Sequence, residues 1–284
     1  MEIINRRQRM FSISRKLRRE EKTVGFVPTM GALHAGHLEL VKEARQRCDI
    51  VVVSIFVNPA QFDVKADLEK YPRDLTADAA MLAEYDVDYI FAPDVEEIYP
   101  TGFSTYVDVE GLADKFEGAS RPGHFRGVAT VVTILFNTVR PDFAFFGQKD
   151  AQQVTVVRRL TRDLGFEMEI VVIPTAREES GLAMSSRNAR LSPEERGKAA
   201  IIIEALREAK IAYKKGERNA ADLAEIVKNR IATEPLALVD YVGVVDRDSL
   251  QTIERIGDDE ALIMTAVYFG DVRLIDNVVL NRKQ

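Results

Sequence analysis

A single cysteine in 284 residues, Cys48, excludes an intrachain disulfide and a cysteine metal cluster. Its place in an apolar-periodic helical stretch predicts a small buried hydrophobe. No apolar run approaches the roughly 18 residues that a membrane-crossing helix needs, and the N-terminus lacks the apolar segment of a signal peptide. A net charge of −6 argues against a strongly cationic nucleic-acid binder. Four signatures are missing as well. Without GxGxxG there is no dinucleotide dehydrogenase fingerprint, and without a Walker A motif no P-loop. Without HExxH there is no zinc-protease helix, and without GxSxG no hydrolase elbow. What remains, 46% hydrophobic and 30% charged residues, is ordinary for a globular chain, with a cytoplasmic enzyme or binding protein as the default.

What is present alternates. After a basic start, "INRRQRMFSISRKLRREEK", read as a solvated helix with Ile4, Phe11, Ile13 and Leu17 on its apolar side, comes the strand-like "TVGFVP". A helix over about 35–48 leads to "IVVVSIF", whose near-continuous apolar run predicts a strand covered on both faces. A polar loop at 58–72, a helix at 75–85 and "DYIFAP" follow, and "TYVDVE" reads as another strand. A helix at 124–139 leads to "DFAFFG", and one at 150–164 to "MEIVVIP". This succession predicts an α/β fold: a Rossmann-like parallel sheet with helices on both faces, over 1–176. Ligands of such sheets bind beyond the carboxyl ends of the strands. From 177 to 284 the texture becomes that of a smaller α+β lid domain. Ser192, Pro193 and Glu195 open a capped helix, a helix at 219–232 follows, and three strand-like runs end the chain.

The chemistry concentrates in a few loops. "FVPTMGALHAGHLELVKEAR" places two of only three histidines, His34 and His37, at the start of one helix. Helix N-termini attract phosphate, and Gly31 and Gly36 supply the turn and the open backbone. Two imidazoles three residues apart can donate to a phosphate whose charge grows in a transition state. In "FFGQKDAQQ", Lys149 and Asp150 open a helix at a strand's end, as a phosphate and ribose clamp would. "SGLAMSSRN" is a polar loop suited to closing over a triphosphate, with Arg187 bidentate to it. Asn58, Gln61 and Gln153 offer neutral amides, donors and acceptors together, which suit a hydroxy acid.

These blocks carry a resemblance. HxGH opening a helix after a strand, with a later serine-rich loop, resembles the nucleotidyltransferase superfamily of HIGH and KMSKS enzymes. Within it, "FVPTMGALHAGH", "VSIFVNPAQF", "YPRD", "RPGHFRGVATVV", "FFGQKDAQQ" and "GLAMSSRN", in order along the chain, resemble the pantothenate synthetase (pantoate–β-alanine ligase) family. The resemblance implies ATP-dependent condensation of pantoate with β-alanine through pantoyl adenylate, in a homodimer, without nucleic-acid or membrane partners. It implies that Met30, Gly31, Ala32, Leu33, His34, Ala35, Gly36 and His37 border ATP. Gly147, Gln148, Lys149 and Asp150 would do the same, as would Ala176, Met184, Ser185, Ser186 and Arg187. His34, His37, Lys149 and Arg187 carry the catalytic roles. Gln61 and Gln153 grip pantoate, with Asn58 beside them. Mg²⁺ rides mainly on the triphosphate, with Asp78 a water-mediated contributor. Ser180 and Ile134 depart from the residues usual in the family. His124 is open between shaping the substrate pocket and a structural role. Another transferase on the same scaffold, or a non-catalytic nucleotide sensor, are the rival readings.

Overall fold

The computed structural model describes residues 1–63, 65–257 and 260–281. Contacts divide the chain into two units. The first comprises Met1–Gly147 and Val156–Ile173; the second, Gln148–Thr155 with the residues from Pro174 onward.

The first unit runs β1 (Glu2–Ile4), α1 (Arg7–Arg19), β2 (Val24–Thr29), α2 (Ala35–Arg47), β3 (Ile50–Ile55), α3 (Lys65–Lys70), α4 (Leu75–Ala83), β4 (Tyr89–Phe91), α5 (Val95–Ile98), α6 (Glu117–Ser120) and α7 (His124–Val139). Then come β5 (Phe143–Gly147), α8 (Ala151–Asp163), whose residues up to Thr155 group with the second unit, and β6 (Glu169–Ile173). The sheet has the order β1-β4-β3-β2-β5-β6, and its paired strands are parallel, as the alternation predicts. From β2 the chain steps outward through β3 and β4, then returns to lay β5 on the other side of β2. The strand order therefore reverses between β2 and β5, and a crevice at such a switch point is where open sheets of this kind take ligands.

Burial explains the strand sequences. Phe26, Val27, Val51, Val52 and Val53 have no exposed surface, so both sheet faces are covered. A Cβ added at Gly25 would come 2.8 Å from Cys48 Sγ, so β2 and the end of α2 are in close contact there. Cys48 is 6% exposed, and burial, with Asp142 second, pushes its thiol up to about 11. It is a small core residue, as expected.

Three local readings change. The basic start is a helix burying Met10, Ile13, Ser14 and Leu17, but Ile4 belongs to a strand, β1, three residues long and too short to show a period. "TYVDVE" forms no strand. The Val107 N–H donates to Thr130 Oγ1 and the Val109 N–H to the Asp108 carboxylate, so side chains take donors that a ladder would need. The loop expected at 58–72 contains a 3₁₀ turn, Pro59–Gln61, and α3.

The second unit contains α9 (Pro193–Lys198), α10 (Ile201–Lys214), α11 (Ala220–Ile231) and the antiparallel meander β7 (Ala237–Asp246), β8 (Ala261–Phe269), β9 (Val272–Leu280). Ser192 and Glu195 form the reciprocal cap of α9. Leu206, Leu223, Val227, Ile231, Ile263, Val267 and Phe269 make its core. The segment Gln148–Thr155 groups with this unit, whereas a single break near residue 177 was the expectation.

Candidate active site

The loop after β2 is built by a carboxylate. Gly31 and Ala32 both have positive φ, 78° and 51°. The N–H groups of Ala32 and Leu33 then point to Asp78 of α4, at 3.1 and 2.8 Å, one on each carboxylate oxygen. Asp78 is 4% exposed, and a Cβ at residue 31 would meet its Oδ2 at 2.7 Å. The Gly31 N–H donates to Thr29 Oγ1, which itself donates to the Ser54 carbonyl. Asp78 therefore shapes the loop directly, each of its carboxylate oxygens accepting one loop amide.

His34 is the N-cap of α2, with extended backbone, and its Nδ1 accepts the Gly36 N–H at 3.1 Å. An accepting Nδ1 carries no proton, so the proton sits on Nε2, which becomes the ring's donor. The His37 N–H donates to the His34 carbonyl, and the two rings lie with centroids 4.1 Å apart and planes tilted by 33°. The amides of Gly31, Ala32, Leu33, Gly36 and His37 are thus committed inside the loop. Chemistry directed outward falls to the half-buried imidazoles, while Leu33 faces the core.

Gln61 ends the 3₁₀ turn after β3, is 8% exposed, and places Nε2 2.8 Å from Met30 Sδ. The fold therefore brings this glutamine to the histidine loop. Asn58 holds it there. Asn58 Nδ2 donates to Gln61 Oε1 and to the Gly127 carbonyl, and its Oδ1 accepts from the Ala60 N–H and the Tyr99 hydroxyl. At 1% exposure, with those four positions used, Asn58 orients Gln61 and is not itself placed to contact a ligand. Burial, with Tyr106 second, raises the Tyr99 hydroxyl above its ordinary range, keeping it a donor. His124 Nδ1 donates to the Gln61 carbonyl at 2.8 Å, and Arg121 donates to the same carbonyl and faces His124 Nε2. The third histidine fixes the backbone of Gln61. Arg121 in turn lies 3.6 Å from Asp63.

In the second unit, Lys149, Ser185, Arg187, Arg273 and Asp276 help line an open, shallow concavity. Asp276 is paired with Arg177, Arg273 with Asp240, and Lys149 lies 3.5 Å from Asp150. The cationic groups on its wall suit a polyphosphate. Met184 and Ala176 meet through a backbone hydrogen bond, in a hairpin whose turn uses Ser180 Oγ as acceptor for the Leu182 N–H. Ser180 is therefore a working turn residue. Gln153, on the first turn of α8, and Ile134, on α7, are half-buried; Ser186 is exposed. Sequence reading missed Asp276 and Asn277, both 4% exposed in β9, and Asn188, whose Nδ2 ties the hairpin to the Ser185–Arg187 turn. Two consecutive polar residues inside the apolar "VRLIDNVVL" were the available signal, since one of them must face inward.

A parallel sheet with a switch point, a histidine pair at the start of the helix after its switch strand, and a cationic concavity define a nucleotide-using α/β enzyme. A family model described as pantoate-beta-alanine ligase matches residues 2–279. Pantothenate synthetase of Heliobacterium modesticaldum is 52% identical over 280 residues, 99% of each chain, and that of Pelotomaculum thermopropionicum 52% identical over 94% of this chain and 95% of its own. The solved pantothenate synthetase of Thermus thermophilus superposes with a TM-score of 0.89 at 46% identity, covering 98% of this chain and 99% of that one. The Francisella tularensis pantoate-beta-alanine ligase, solved with beta-gamma ATP and beta-alanine, gives 0.80 at 36% identity, over 98% of this chain and 97% of that one. The chain belongs to the pantoate–beta-alanine ligase family.

Proposed function

We propose that the protein condenses pantoate with β-alanine in two steps. A pantoate carboxylate oxygen attacks the α-phosphorus of ATP, and pyrophosphate leaves. The amine of β-alanine then attacks the acyl carbon of pantoyl adenylate; AMP departs with the acyl–oxygen bonding pair and the amine loses a proton. Neither step needs a protein nucleophile, only placement and charge stabilisation. The observation that carries the reading is the His34–His37 pair, with His34 Nε2 left as a donor by the Gly36 contact.

His34 and His37 are assigned to the phosphates, and Gln61 to pantoate, held by Asn58, His124 and Arg121. In the second unit Lys149 and Arg187 are assigned to phosphate and Gln153 to pantoate. Mg²⁺ is assigned to the triphosphate. Bound there, the ion would add charge neutralisation. Homodimer formation and a cytoplasmic location rest on the family resemblance. No helix among the described residues is long and apolar enough to cross a membrane.

The test is pyrophosphate release. ATP with pantoate alone should give about one equivalent per active site, and adding β-alanine should bring repeated turnover with AMP and pantothenate. Pyrophosphate release indifferent to pantoate would overturn the reading.

A second experiment probes the acid pocket. A Cβ at residue 127 would lie 2.2 Å from the Ala60 carbonyl oxygen and 2.7 Å from the Gln61 nitrogen, so Gly127→Ala must move the turn that presents Gln61. The expected result is a raised pantoate KM with ATP affinity unchanged, beside a loss of about 1–3 kcal/mol in stability. Lower stability with normal pantoate saturation would take Gln61 out of that pocket.

A further inference from the structure

Strand β9 carries Asp276 and Asn277 at its centre, both 4% exposed among apolar neighbours. Consecutive strand residues face opposite ways, so the two side chains address different parts of the unit. Asn277 is spent on one short turn. Its Nδ2 donates to the carbonyls of Gln148 and Lys149, at 2.9 and 3.0 Å, and its Oδ1 accepts from Gln148 Nε2 at 2.8 Å. Asp276 is spent on another segment. Its two oxygens take Nη1 and Nη2 of Arg177, at 2.6 and 3.0 Å, and Oδ1 also accepts the Asn277 N–H. Arg177 reaches the Gly181 carbonyl as well, and pairs across the hairpin with Ala183, just before Ser185 and Arg187.

A buried carboxylate and amide cost free energy unless each is fully partnered, and a valine or isoleucine would fill an apolar strand without that demand. Apart from the Asn277 N–H, the partners here all belong to the two segments whose side chains line the cationic concavity. We propose that Asp276 and Asn277 are positioning residues for the nucleotide: Asn277 sets the backbone that aims Lys149, and Asp276, through Arg177, sets the hairpin that presents Ser185 and Arg187. This rests on the phosphate roles assigned to Lys149 and Arg187. Phosphoryl chemistry rewards such placement, since a displacement of about 1 Å can cost on the order of a hundredfold in rate.

The experiment is a double-mutant cycle. Asn277→Asp keeps the shape of the side chain but turns an oxygen toward two carbonyl oxygens. Asn277→Ser, which removes the NH₂ donors without adding charge, replaces it if the first variant fails to fold. Each is made alone and with Lys149→Ala, and thermal melts accompany two rates. One is single-turnover pyrophosphate release from ATP and pantoate; the other is pantothenate formation from supplied pantoyl adenylate. The residue-277 variant alone should slow the first rate about 10- to 100-fold and leave the second within about threefold; added to Lys149→Ala it should cost less than about threefold more, because it acts through that lysine. A role in folding alone would lower both rates together, or multiply in full with Lys149→Ala, and either result overturns the inference. Normal adenylation in Lys149→Ala itself would overturn the phosphate reading, and the inference with it. A slow Lys149→Ala beside an unimpaired residue-277 variant would overturn the inference alone.

Discussion

His37→Ala is expected to slow pantoyl adenylate formation by about 10²–10³, the scale for losing one preorganised donor to a developing oxyanion. The fold should persist. The ring leaves behind a helix whose buried contacts are Leu40, Val41 and Ala44, and the His37 N–H keeps its bond to the His34 carbonyl. His34 would be the poorer choice for this experiment, because its ring also caps α2 through the Gly36 N–H, and removing it mixes stability with chemistry. The measurement is single-turnover adenylate formation beside a thermal melt. A well-folded variant turning over near the normal rate would sink the role assigned to His37.

Lys149→Ala should lower adenylation by about 10², again on the scale of one lost charge-stabilising donor, and spare most of the second half-reaction. The reason is chemical order. Adenylation builds charge on a departing pyrophosphate; when the amine attacks pantoyl adenylate, that group has gone. Lys149 sits on the wall of the concavity with Arg187, anchored by backbone contacts from Asn277 that the substitution leaves in place. Supplying synthetic pantoyl adenylate with β-alanine separates the two steps. Equal damage to both half-reactions would show that the lysine does something other than stabilise phosphate charge.

Much of this was legible in the sequence because it is local. "IVVVSIF" reads as a strand covered on both faces because its interior residues are buried, and His34 reads as a helix start because it caps one. What escaped depends on partners far along the chain. His124 finds its task 63 residues away, on the carbonyl of Gln61, and Asn277 finds its own 129 residues away, at Gln148. Neither pairing has a spacing that a periodicity could reveal. The loop-shaping role of Asp78 stayed hidden for the same reason, its amide partners Ala32 and Leu33 lying 46 and 45 residues away. "TYVDVE" misled because β propensity says nothing about whether a partner strand exists.

The seam between β2 and β5 also bears on how the molecule assembles. On one side β2 pairs with β3, closing a loop of 26 residues; on the other it pairs with β5, closing one of 118. Loop-closure entropy grows with the logarithm of length, so the second pairing costs about 1.3 kcal/mol more than the first before any contact offsets it. The half containing β3 and β4 is therefore the half that chain entropy lets form first. The histidine loop follows β2, the strand at which both pairings meet, so the first unit acquires its switch point only when its most distant halves come together.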